Sequence, residues 1–169
     1  MRDGDQFGII VSVFGGCSIV GSTYFKNVKG RAYSYKRVLE AWDNCQTIKA
    51  NYGSDSYRFG QSVSINEKIV VIGAPYKDNG NGPKEGAVYT FTLVGETWTD
   101  DKKLTASDGA SGDKFGSSVA ISRDTLLVGD SLQIWLQGSR LCVCPCRRQI
   151  VGQRNEASSK ECNRLRRLV

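Results

Sequence analysis

Three stretches of this chain open on Phe-Gly and continue with apolar residues spaced for a strand: Phe7-Gly8, Phe59-Gly60 and Phe115-Gly116. In the second copy, which is the cleanest, Phe59 to Ile65 alternates apolar and polar, and Lys68 to Gly73 is then almost continuously apolar. That succession predicts a half-buried strand paired with one buried on both faces. From each Phe to the glycine that closes the second run is 14 residues in all three copies: Phe7 to Gly21, Phe59 to Gly73, Phe115 to Gly129. Recurrence at 52 and then 56 residues marks a repeat architecture, in which one supersecondary unit stacks on the next. Tyr33 to Trp42 matches Tyr89 to Trp98, and Ala50 to Phe59 matches Ala106 to Phe115. The difference in period therefore sits between Gly21 and Gly30 in one copy and between Gly73 and Gly86 in the next, which predicts a variable surface loop there.

Within the second copy a turn is expected at Asn66-Glu67, a polar loop over 76–85, a third strand from Gly86 to Val94, a turn at Gly95-Glu96, and a more exposed fourth strand over Thr97 to Leu104. Four antiparallel strands per copy describe one blade of a β-propeller, so the predicted class is all-β. The Gly- and Asp-rich segment after Ala106 is a crossing from the outer strand of one blade to the inner strand of the next. The glycine of Phe-Gly is expected where inner strands converge and leave no room for a side chain, and the Phe in the wedge between blades. The chain divides into a first blade over 1–58, a second over 59–114, the start of a third over 115–130, and a tail over 131–169. Two and a half blades predict a segment of a longer ring or, as the alternative, several chains joined into one.

Charge separates the tail from the rest. Residues 1–130 hold 15 Lys+Arg and 15 Asp+Glu, whereas 131–169 hold 8 and 2, so the net +6 belongs to the tail. Nucleic-acid binding by the folded part is not expected. No stretch approaches the ~18 apolar residues of a membrane span, and no secretory signal is visible at the start. Histidine is absent, which excludes Ser-His-Asp and Cys-His catalysis and histidine zinc sites. The carboxylate pair Asp100-Asp101 reads as a solvated strand end, because adjacent strand residues face opposite ways. Cys17 and Cys45 have no counterparts in the second copy, where Ile69 and Asp101 stand, and are expected to be unpaired.

The register of these residues resembles the FG-GAP repeats that build the integrin alpha-subunit propeller and related cell-surface proteins. The residues that carry the resemblance are Phe59-Gly60, Gly73-Ala74-Pro75, Gly86, Tyr89 and Trp98 in the second copy, Phe7-Gly8, Gly21 and Trp42 in the first, and Phe115-Gly116 and Gly129 in the third. The first copy departs from the pattern at Gly21-Ser22-Thr23 and the third after Gly129, so the likeness covers about 3–130. It implies a non-catalytic extracellular or cell-surface scaffold for adhesion or ligand binding through loops, with a protein or glycan ligand, further blades or self-association as partners. The alternative is an accessory propeller of a secreted hydrolase or lyase.

The family often carries calcium loops of the Asp-x-Asp-x-Asp-Gly kind, and that run is missing here. Asp78, Asn79 and Asn81 are weak calcium candidates, a solvated loop being the favoured reading; no cofactor is otherwise expected. Asp108 and Asp113 are expected to bond local backbone. The tail, with Cys142, Cys144, Cys146 and Cys162 among its arginines, is readable as a thiolate metal site or a basic arm, but non-native origin and disorder are favoured because the blade pattern breaks at Asp130.

Overall fold

A computed structural model of the chain describes residues 5–24, 29–50, 57–80, 82–107, 109–123 and 125–130, and the backbone of 141–145. All regular structure among them is β. Strands β1 (Phe7–Phe14), β2 (Cys17–Ser22), β3 (Arg31–Val38) and β4 (Ala41–Ile48) form one antiparallel sheet in sequence order, and β5 (Ser62–Ile65), β6 (Ile69–Ala74), β7 (Ala87–Val94) and β8 (Thr97–Leu104) form a second in the same order. β9 (Ser118–Ser122), β10 (Thr125–Gly129) and β11 (Leu141–Pro145) make a third sheet with β10 in the middle. These sheets are the predicted blades of a partial β-propeller. Even the irregularities repeat, since the register shifts between Ser34 and Tyr35 in the first blade and between Thr90 and Phe91, 56 residues on, in the second.

Two features were not foreseen. Within the 131–169 tail, expected to be largely disordered, Leu141–Pro145 pairs with β10 along its whole length and takes the place that β3 and β7 hold in their sheets. An exposed edge of β10 has unpaired N–H and C=O groups, which any extended segment in reach satisfies. The rest of the tail, including Cys146 and Cys162, lies outside the described residues, as does Asp108. A correction concerns Phe59, expected to start a strand. The strand begins only at Ser62, and Arg58 and Gly60 on either side of the ring have φ of 50° and 89°. The same pair of left-handed residues brackets Phe7 (Gln6, 48°; Gly8, 83°) and Phe115 (Lys114, 57°; Gly116, 88°).

That double kink joins the blades. Phe59 forms an isolated parallel bridge with Gly30 just before β3, and Phe115 does the same with Gly86 just before β7. A Cβ on Gly60 would strike the Arg31 carbonyl oxygen and one on Gly116 the Ala87 carbonyl oxygen, both belonging to the preceding blade. From the other side, Gly21 and Gly73, which close the second strands, face the carbonyl oxygens of Gly60 and Gly116 so closely that neither tolerates a Cβ. The glycines thus serve backbone contact between blades, and not convergence of the inner strands as the sequence suggested.

Inner strands add a second set of links. Ile65 N donates to Ser12 Oγ (3.3 Å) and Ile121 N to Ser64 Oγ (3.0 Å), a repeated hydrogen bond from each blade to the one before. Ser62 Oγ donates to Gly116 O at 2.7 Å. On the outer strands Gln46 grips the backbone of Trp98 twice, accepting from its N–H (2.7 Å) and donating to its carbonyl (2.8 Å).

Apolar residues fill what remains between the sheets. One cluster joins Ile19, Ala32 and Ile48 of the first blade to Phe59, Val63, Ile65, Ile72, Tyr89, Phe91 and Trp98 of the second. Another joins Val71 and Val88 of the second to Phe115, Leu126 and Val128 of the third. Alternation along β6 makes this possible: Ile72 faces back and Val71 faces forward, both fully buried. Phe59 meets Tyr89 edge-on at 5.5 Å and Phe91 at 6.2 Å, and Phe7 meets Tyr33 in the same way at 5.4 Å. Such ring pairs add about 0.5–1.5 kcal/mol beyond area burial. Trp98 is 6 % exposed beneath the first blade, whereas its counterpart Trp42 is 46 % exposed, as are Val11 and Val13 to more than half.

Gly116→Ala combines a left-handed φ with a backbone collision and is expected to cost about 3 kcal/mol. Gly95→Ala has a similar φ, 63°, but open space around it, and is expected to cost about 1 kcal/mol. Urea unfolding of the full chain measures both; equal losses would remove the collision from the account.

Candidate functional site

β2 and β6 end, and β5, β7 and β9 begin, at the same end of the sheets, so the loops that follow or precede them share one face. In the second blade Tyr76-Lys77-Asp78-Asn79 leaves β6, and Lys84-Glu85-Gly86 returns to β7. Four hydrogen bonds shape this loop. Asp78 Oδ1 accepts from Lys84 N (2.6 Å), Asn79 N donates to Glu85 Oε1 (3.3 Å), Asn79 Nδ2 donates to Gly86 O (2.7 Å) and Gly86 N to Lys77 O (2.9 Å). Of the calcium candidates, Asp78 Oδ1 is thus held by backbone, whereas Asn79 Oδ1 is buried with no hydrogen-bond partner; Asn81 lies outside the described residues. Among the described residues no three His, Cys, Asp or Glu side chains come together as a metal site would need.

In the first blade Ser22 and Thr23 replace Ala74 and Pro75. Their hydroxyls donate to Asp5 O (2.7 Å) and Gln6 Oε1 (2.8 Å), so these buried polar groups are satisfied and the departure from the family pattern leaves the blade intact. Asp113 Oδ2 accepts from Ala110 N (2.8 Å), the local backbone role expected of it. Asp101 accepts from the Thr90 hydroxyl at 3.2 Å, while Asp100 stands opposite Phe91.

A group that residue-by-residue reading missed occupies this face. The Arg58 guanidinium lies 3.9 Å from the Tyr76 ring centre and 5.0 Å from that of Tyr24 in the preceding blade. Lys84 and Lys114 bring their ammonium groups to 5.6 Å from the same Tyr76 ring, and Lys77 places its own 3.9 Å over Tyr57. The pattern obeys the repeat: Tyr24 and Tyr76 are 52 residues apart, Arg58 and Lys114 are 56 apart, and each tyrosine receives the cation that precedes the next blade's Phe. Tyr and cation at these offsets were legible in the sequence once the register was applied beyond the Phe-Gly landmarks. Attraction of a cation to an aromatic face is worth about 0.5–2 kcal/mol, more as water is excluded. Lys77 is nearly buried, and Lys103 behind it has its pKa lowered by burial first and by the Lys77 charge second, against a raising effect of Glu85.

Away from this face, Lys36 on β3 and Glu96 in the turn between β7 and β8 join two blades at 2.8 Å; their hydrogen bond and charges raise the lysine pKa and lower that of the carboxylate. Both are solvent-exposed, so the pair is a minor contributor. Cys17 and Cys45 are free thiols. They lie on β2 and β4 with β3 between, and two strand spacings of roughly 4.8 Å exceed what a disulfide spans.

Repeated four-stranded blades joined by Phe-Gly kinks, with aligned loops at one end, define a β-propeller-type repeat protein. The FG-GAP repeat family model matches residues 42–91 and 98–134, just over half of the chain, and the chain belongs to that family. Each match starts at the outer-strand tryptophan, Trp42 or Trp98, and runs across the junction into the next blade; β1 to β3 lie outside both matches yet pair with β4 in the same strand order as the second blade. No curated protein matches the chain.

Proposed function

We propose that the chain is a non-catalytic scaffold segment that presents the loops at one end of its blades to an extracellular partner, in adhesion or ligand recognition. The observation that carries this reading is the register of tyrosine and cationic side chains on one face, where Tyr24 and Tyr76 follow the second strands of consecutive blades. Junction contacts through backbone hold that face rigid, and rigid presentation lowers the entropy lost on binding. FG-GAP repeats are generally extracellular domains, which supports a location outside the cell. The absence of histidine supports a role without acid–base chemistry at neutral pH.

A further FG-GAP blade is the partner that fits the other surface, the outward side of the first blade. Val11, Val13 and Trp42 are exposed there, and their second-blade counterparts Val63, Ile65 and Trp98 are buried by a preceding blade.

Immobilised full chain is expected to retain at least one member of a panel of purified extracellular-matrix proteins and glycans, and to lose it when residues 78–84 are replaced by a Gly-Ser loop; retention of none, or retention indifferent to the loop, contradicts the reading. In sedimentation, the 169-residue chain is expected to self-associate with rising concentration and Val13→Lys to suppress this. A monomer at every concentration, or association unchanged in the variant, would remove the blade-docking surface.

A further inference from the structure

Arg58 is the most informative side chain on the loop face. It is half-buried between two tyrosine rings, and no acceptor among the described residues takes a hydrogen bond from its guanidinium. A guanidinium carries five N–H donors in a fixed plane, and a half-buried one that no described residue satisfies is open to water or to a ligand. Its neighbours share the condition. Lys84 and Lys114 stand around the same ring, and neither they nor Lys77 nor Arg58 forms an ion pair with a described carboxylate. Of the acidic groups close in sequence, Asp78 accepts from Lys84 N, Glu85 from Asn79 N and Asp113 from Ala110 N. Three cations gathered on one ring repel one another, and the ring's negative face offsets that only in part.

We propose that Arg58, Lys84 and Lys114, held in place by Tyr24 and Tyr76, recognise carboxylate side chains on an extended acidic segment of a protein partner. This deepens the scaffold reading above and rests on it. Stacking leaves the rim of the Arg58 guanidinium as its hydrogen-bonding edge, the part that matches a carboxylate bidentately. Arg58 and Lys114 lie 3.9 and 5.6 Å from one ring centre, hence under about 10 Å apart, and alternate side chains of an extended peptide project on one side roughly 6.6 Å apart. A Glu-x-Glu spacing therefore reaches both. The alternative, a long sulfated glycan, suits this surface less well. Residues 1–130 are neutral overall, so a polyanion extending beyond the ladder meets as many carboxylates as cations, whereas a short acidic segment meets only the ladder.

The test uses the full chain and a fluorescein-labelled extended peptide with glutamate at three alternate positions, its glutamine counterpart, and a heparin-derived oligosaccharide, compared by anisotropy. The glutamate peptide is expected to bind saturably, the glutamine peptide not to bind, and Lys84→Gln with Lys114→Gln to weaken binding about tenfold or more. Lys68→Gln, at an exposed turn between β5 and β6, is expected to change nothing. Lys84→Gln alone alters one exposed side chain and is expected to give a smaller loss in the same direction, which keeps the test valid if the double variant folds poorly. No saturable peptide binding, equal weakening by Lys68→Gln, or an unchanged affinity in the Lys84 variants overturns the proposal. Tighter binding of the oligosaccharide with the same sensitivity overturns the protein-partner assignment in favour of a glycan. If matrix ligands are still held through the 78–84 loop while the peptide is not, the acidic class alone falls; if neither is held, the scaffold reading falls with it.

Discussion

Backbone meets backbone where one blade joins the next, and the structure depends on that contact. Gly60 and Gly116 lie against the third strand of the preceding blade, while Gly21 and Gly73 lie under the carbonyls of those same glycines. A side chain on any of the four would force the sheets apart. With the sheets at this distance, Ser12 and Ser64 reach the amides of the next inner strand, Gln46 reaches Trp98, and the two apolar clusters close. The non-glycine residues before each Phe, Gln6, Arg58 and Lys114, accept left-handed backbone to achieve it, at a cost of about 1–2 kcal/mol each. The cost recurs at the same position in all three copies and is offset by the burial of Phe59 and Phe115 that it permits.

The same kink determines what the loop face carries. Because Arg58 and Lys114 turn away from the strand direction just before their Phe, their side chains reach the tyrosine that follows β6. The proposed function and the fold therefore share one device, and the strained residue that joins two blades is also the one that lines the exposed face. Strain of this kind often coincides with recognition surfaces. The family match, which starts on an outer-strand tryptophan and crosses the junction, places the recurring unit across that device and not within a single sheet.

Much of this was legible in the sequence. Period-two patterning and the constant spacing from Phe to Gly located the second-blade strands to within three residues, because one face of each strand is buried and register cannot slip without exposing it. The indel did fall in the loop between second and third strands. What escaped were features that arise only when two copies meet. Phe59 has the composition of a strand residue, but its conformation follows from a parallel bridge to Gly30, 29 positions earlier. The Tyr–cation ladder combines residues from two blades, and neither copy alone displays it. Strand β11 was unforeseen because the pattern that predicts strands ends at Asp130, whereas an open edge on β10 accepts any extended backbone.

Hydrogen exchange at the amides of Ile65 and Ile121 tests the junction most directly. Both amides leave their own sheet to bond a serine of the preceding blade, whereas Val71 bonds within its sheet. If the blades form one cooperative unit held by junction contacts, Ile65 and Ile121 are protected as strongly as Val71 and lose protection with it as denaturant is added. Exchange of Ile65 and Ile121 at the rate of open loops, while Val71 stays protected, would show blades that fold separately and would contradict the account.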